Sequence, residues 1–320
     1  MRRRTFLLAA GALSLPVRAQ RVHRVGTLVT GPEKVWSGRV AALRAGLKER
    51  GYVEGRNLVL VSRWNDGGLE RLPDLAADLL REKPDVVVCG LVLSAAAVQK
   101  HSRTVPIVLA TGAGAVKVGL ARSFARPGGN VTGLETQSEE LVTKNFQLLK
   151  TVAPSVSRVA VLNTGNYMFH REAWAALRDA AAMMKVELID LRIDEANELA
   201  RLAQACTGGG CNGLYVMPDP VLINWRAQIA GQAAKLGLPA VYNQPEYVEA
   251  GGLLSYSANT EDMFRRAAGF VDRILKGAKP GDLPIERPTT FEMVINLKAA
   301  RALGLRIPAD LLARADRVIE

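Results

Sequence analysis

The chain has 320 residues, 48% of them hydrophobic, 23% charged and only 5% aromatic, a length that fits one large domain or two medium ones and an apolar fraction that excludes a disordered chain. After the first twenty residues no apolar run reaches the roughly 18 residues needed to span a membrane. The formal charge of +11 falls to +7 (38 basic against 31 acidic residues) once Arg2, Arg3, Arg4 and Arg18 of the leader are set aside, and the remaining bases are scattered, which argues against nucleic acid as a partner.

Residues 1–20 carry a positive start at Arg2–Arg4, an apolar stretch at Phe6–Leu15 and then Val17-Arg18-Ala19. This predicts a secretory signal peptide over 1–19, cut after Ala19, and hence a periplasmic protein. Arg3-Arg4-Thr5-Phe6-Leu7 fits a twin-arginine signal as well as an ordinary Sec signal with a rich basic region, so the export route stays open. No cysteine stands at the cleavage site, so no lipid anchor is expected.

Val22–Val29 reads as a strand, and Trp36, Val40, Leu43 and Leu47 recur at helical spacing before Gly51. Asn57–Ser62 is a strand, Leu69–Leu79 a helix, and Asp85–Cys89 a continuous apolar run of the kind a buried parallel strand requires. A helix over 94–101 and a strand over 105–110 follow. The pattern resets at the turn Pro127-Gly128-Gly129-Asn130. Strands are then predicted at Val131–Leu134, Val159–Leu162, Val186–Leu191, Leu214–Met217 and Pro239–Tyr242. Helices at Glu139–Val152, Glu172–Met184, Ala196–Ala205 and Val221–Leu236 separate them. The tail adds a strand at Leu253–Tyr256, a strong helix at Thr260–Lys276, a Pro/Gly linker over 279–284, a β-prone Phe291–Ile295 and two short helices. Alternation of this kind builds parallel sheets covered on both faces, so the expected fold is α/β with two doubly wound, Rossmann-like lobes facing a shared cleft.

Catalytic constellations are missing. The three histidines, His23, His101 and His170, do not pair with other ligands at metal spacing, and neither a G-x-S-x-G elbow nor a Walker loop occurs. Neither a cofactor nor a metal is expected, and the chain is read as a non-enzyme. Gly112-Ala113-Gly114 lacks the third glycine of a dinucleotide loop. Cys206 and Cys211 flank Thr207-Gly208-Gly209-Gly210, and in an oxidising compartment they either close a small disulfide loop or remain two thiols. Cys89 lies in a buried strand.

Six segments carry a resemblance: Arg50–Asn57 (R-G-Y-V-E-G-R-N), Arg126–Gly133 (R-P-G-G-N-V-T-G), Met217–Pro220 (M-P-D-P), Glu249–Tyr256 (E-A-G-G-L-L-S-Y), Arg273–Pro280 (R-I-L-K-G-A-K-P), and Ile295–Ala300 with Leu303-Gly304. In this order they resemble the ABC transporter substrate-binding proteins of the tryptophan/tyrosine-binding type, a branch of the type I periplasmic binding proteins. The resemblance implies a Venus flytrap with a three-strand hinge, crossing after Gly133, near Leu253–Tyr256 and near Leu283–Glu286. It divides the chain into one lobe of residues 22–133 plus 255–284 and another of 134–254 plus 285–320.

Ligand groups are expected on the loops that follow the strands. In the first lobe these hold Trp36, Ser94 and Thr111. Ser94 is read either as an anion site at a helix start or as a plain N-cap, and Trp36 either as a stacking wall or as a core residue. In the second lobe they hold Asn163, Tyr167, Asp219, Tyr242 and Glu246, with Asp219 either pairing an ammonium or capping the next helix. Relatives commonly show Asp-Pro where this chain has Gly114-Ala115, so an α-amino group is not required of the ligand. The expected function is capture of an amino acid, aromatic carboxylate or similar small acid by a monomer that delivers it to an ABC permease. A ligand-sensing subunit for a membrane receptor and, less favoured, a secreted α/β enzyme remain as alternatives.

Overall fold

The computed structural model describes residues 21–136, 138–165 and 170–320; the leader and Tyr167 lie outside the described residues. The first half runs β1 (His23–Thr30), α1 (Glu33–Glu49), β2 (Leu58–Asn65), α2 (Leu72–Arg81), β3 (Val86–Cys89), α3 (Val92–His101), β4 (Ile107–Leu109) and β5 (Val131–Gly133). Its five strands are all parallel, in the order β2-β1-β3-β4-β5. Every residue of β3 is buried, as a strand covered by helices on both faces demands.

The second half repeats the plan with α4 (Ser138–Val152), β6 (Arg158–Asn163), α5 (His170–Met183), β7 (Glu187–Arg192), α6 (Ala200–Cys206), β8 (Gly213–Val216), α7 (Arg226–Lys235), β9 (Ala240–Tyr242), α8 (Pro245–Glu249) and β10 (Leu254–Ala258). Its sheet runs β7-β6-β8-β9-β10 and is extended by β11 (Phe291–Asn296), antiparallel to β10, and β12 (Arg317–Ile319), parallel to β11. Both lobes therefore share the flavodoxin-like order 2-1-3-4-5, whose reversal point lies between the first and third strands.

α9 (Thr260–Leu275) belongs to the first lobe although it follows the second in sequence. Its buried stripe of Met263, Phe264, Ala267, Ala268, Phe270, Val271 and Ile274 packs with Val40, Leu43 and Leu47 of α1. Each such side chain, fully buried, contributes up to about 1.5–3 kcal/mol. Gly46 makes the approach possible: a Cβ there would stand 2.9 Å from the Ala268 methyl. Asn259 caps the helix, its Oδ1 accepting from the Asp262 amide at 2.9 Å, and Glu261 and Asp262 complement the positive end of the helix dipole.

β10 pairs with β11 up to Ala258, beyond the Leu253–Tyr256 segment expected to carry the second crossing. The helix expected over 221–236 is broken into a tight turn at Leu222–Trp225 followed by α7. α8, β12 and the short α10 (Leu297–Ala302) and α11 (Ala309–Ala313) complete the second lobe. Of these, α8 and β12 had no sequence signal. The first and third crossings run side by side: Glu135 N–H donates to Glu286 O at 2.9 Å and Glu286 N–H to Gly133 O at 2.8 Å.

Cys206 and Cys211 are joined as a disulfide across a loop that needs Gly208 at φ +66°. Cys89 is free and fully buried, and burial pushes its thiol up. Titration of the unfolded, unreduced protein should find one thiol per chain, and none should react in the native state. Three thiols would show that the bridge does not form.

Candidate functional site

The carboxyl ends of both sheets open onto one cleft of about 1010 Å3, measured out to its solvent mouth. Leu91 after β3, Thr111–Ala113 after β4 and Thr136 after β5 line one wall. Pro218–Pro220 after β8 and Asn243 and Gln244 after β9 line the other, with Tyr256–Ala258 of β10 at the floor. α1 contributes Trp36 and Arg39, and α4 contributes Leu141, Val142 and Asn145. A cleft at the reversal points of two doubly wound sheets is where such folds hold ligands.

Trp36 is 4% exposed and serves both readings, as a cleft wall and as a core residue tilted against Phe264 at 6.3 Å. The indole fits because position 31 is glycine, at φ +146°; a Cβ there would collide with the ring nitrogen. The Arg39 guanidinium lies over the indole, 4.2 Å from the ring centroid. Its Nε donates to Thr260 Oγ1 at 2.6 Å, Nη1 to Val35 O at 3.1 Å, and Nη2 to the carboxylate of Glu246.

Several polar atoms of the cleft-lining residues are buried and lack a hydrogen-bond partner among the described residues: Trp36 Nε1, Asn145 Oδ1, Tyr215 Oη, Asn243 Nδ2 and Gln244 Oε1. Buried polar atoms are nearly always paired, so these are groups waiting for water or a ligand. Burial pushes the Tyr215 phenol up, keeping it neutral and able both to donate and to accept. Asn145 Nδ2 is already given to Tyr256 O at 2.9 Å, which leaves its oxygen as the free acceptor.

Of the residues expected from sequence, Trp36, Thr111 and Asp219 meet in the cleft. Asp219 is a cap: its Oδ1 accepts from the amides of Val221 at 2.7 Å and Leu222 at 3.3 Å, and its Oδ2 from Thr164 Oγ1 at 2.7 Å. Ser94 is a correction. α3 begins at Val92, so Ser94 is its third residue, fully buried, and does not line the cleft. Its hydroxyl accepts from Leu91 N–H at 3.1 Å and donates to Leu91 O at 2.8 Å, closing the first turn on itself.

Asn163 is turned away too, donating to Asp190 Oδ1 at 2.7 Å and tying β6 to β7. Tyr242 stacks on Tyr247, centroids 4.9 Å apart, inside the second core. Glu246 reaches the cleft only through Arg39. At the Gly114-Ala115 departure the two amides are held by the buried carboxylate of Glu135, at 3.1 Å for Ala115.

Sequence reasoning missed Arg39, Asn145, Tyr215 and Tyr256. Only Arg39 had a usable signal, since it follows Trp36 by three positions and so shares its helix face.

Comparison with known proteins agrees with this geometry. A curated relative, the tyrosine-binding protein of Clostridioides difficile (strain R20291), is 23% identical over 296 residues, covering 92% of this chain and 84% of the relative. A solved ABC domain from Streptococcus pneumoniae in complex with L-Trp superposes with a TM-score of 0.85 at 22% identity, covering 93% of this chain and all of that one. A conserved domain protein from Vibrio cholerae superposes at 0.86 with 26% identity and the same coverage. The leucine-binding protein of Thermotoga maritima shares the fold at 0.61 and 14% identity, over 80% of this chain and 83% of that one. Residues 30–319 match the family model described as ABC transporter substrate binding protein, and the chain belongs to that family of solute-binding, non-catalytic proteins.

Proposed function

We propose that the protein works in the periplasm, capturing a small amphipathic acid between its lobes and handing it to an ABC permease. The carrying observation is the cleft itself. Apolar walls from Trp36, Leu141, Val142 and Ile223 alternate with the unpartnered Trp36 Nε1, Asn145 Oδ1 and Tyr215 Oη, drawn from both lobes. That combination suits an aromatic or branched body with a few hydrogen-bonding groups. The tyrosine and L-Trp in the names of two relatives favour an aromatic amino acid within this class. The Ser94 hydroxyl drops out as an anion donor, leaving the first backbone amides of α3, from Val92 beside Gly112, as the place for a carboxylate.

The three crossings act as the hinge, with residues 22–133 and 259–284 moving against the rest. Closure is then driven by the ligand's greater affinity for the closed state. Mass spectrometry of small molecules released from natively purified protein should identify one dominant organic acid. L-tryptophan, L-tyrosine and their deaminated acids, titrated by calorimetry, then test the α-amino requirement. Tyr215→Phe should weaken the compound found by about 1 kcal/mol, roughly fivefold. Protein that carries nothing and binds none of the four would sink the reading. Amino-terminal sequencing of periplasmic material should begin near Gln20.

A further inference from the structure

The ion pair between Arg39 and Glu246 joins the two lobes. Arg39 stands on α1, whose Trp36, Val40 and Leu43 belong to the first core, and Glu246 on α8, whose Tyr247 and Val248 belong to the second. The pair is buried, the side chains only 5% and 13% exposed. Each of the three guanidinium nitrogens already serves a protein acceptor, and Glu246 matches its charge.

Resting on the two-lobed binding reading, we propose that Arg39 and Glu246 form an interlobe latch that holds the cleft in its closed arrangement. Breaking one partner of a buried pair strands the other's charge, whereas replacing both by apolar groups of similar size is close to neutral. The pair also borders a second chamber, walled by Lys34, Arg226, Glu249, Glu292 and Arg317, from which water enters once the lobes part. Opening thus rehydrates both charges instead of leaving them stranded. This makes the pair a two-state contact: sealed when the lobes meet, solvated when they part.

The test uses ligand-free protein, refolded to remove carried compounds, so its outcome does not depend on which acid the cleft takes. Spin labels on Lys48→Cys of α1 and Lys235→Cys of α7 report the interlobe distance by electron–electron resonance. Wild type should show a closed population. Glu246→Gln should lower the closed-to-open ratio about tenfold or more, while Arg39→Met with Glu246→Leu should keep it within about threefold of wild type. Circular dichroism checks each fold, and Arg39→Met alone, which strands the Glu246 charge, replaces Glu246→Gln if the latter does not fold. An unchanged distribution in the single variant, or a paired variant as open as the single one, would overturn the latch.

Discussion

Gly133→Ala should destabilise the protein by about 2–5 kcal/mol, the sum of backbone strain and overpacking. Gly133 sits at φ +126° where the chain leaves the first sheet. A Cβ there would fall 2.5 Å from the Leu109 nitrogen and collide with the Leu109 carbonyl oxygen, so β5 must pull away from β4. The same carbonyl oxygen accepts from Leu134 N–H at 2.8 Å, which ties the strain to the hinge. Gly237→Ala is the control. Its φ is also positive, at +64°, but no atom lies within 4 Å of the added carbon, so about 1–2 kcal/mol is expected. Urea unfolding followed by circular dichroism measures both. Equal midpoints for the two variants would refute the argument.

Trp36→Ala should cost about 3–5 kcal/mol in the first lobe, the range for deleting a buried tryptophan. The indole packs on Phe264 and underlies Arg39, so its loss leaves a cavity and removes the π face from a buried cation. Trp36→Phe keeps most of the packing and removes the unpartnered Nε1 donor. Its stability should fall far less, while affinity for the natively carried compound should drop roughly fivefold by calorimetry. Wild-type affinity in Trp36→Phe would make Trp36 a core residue only.

Much of the architecture could be read because parallel strands buried on both faces need unbroken apolar runs. Val86–Cys89 is such a run, and all four residues are buried. β12 could not be found this way: it is a three-residue edge strand, largely exposed, with no pattern to detect. Trp36, Thr111 and Asp219 were found because loops after parallel strands point to the cleft. Ser94 misled because serine favours the N-cap, yet the helix began two residues earlier and used the hydroxyl within its own turn. Asn145 and Tyr215 face the cleft from inside regular elements, and only the docking of the lobes decides which face that is. Asn163 and Tyr242 show the converse, since both lie at strand ends and turn back into their own lobe.

The return of α9 to the first lobe sets a timetable for folding. When β5 has left the ribosome, the face of α1 that carries Val40, Leu43 and Leu47 still lacks its helix partner. Its partner, ending at Leu275, must wait for the whole intervening lobe to be synthesised, a lag of roughly 7–30 s at ordinary translation speeds. Contacts closed over so long a loop form late and slowly. Through that interval the first lobe lacks the α9 stripe of its core and stays loosely packed.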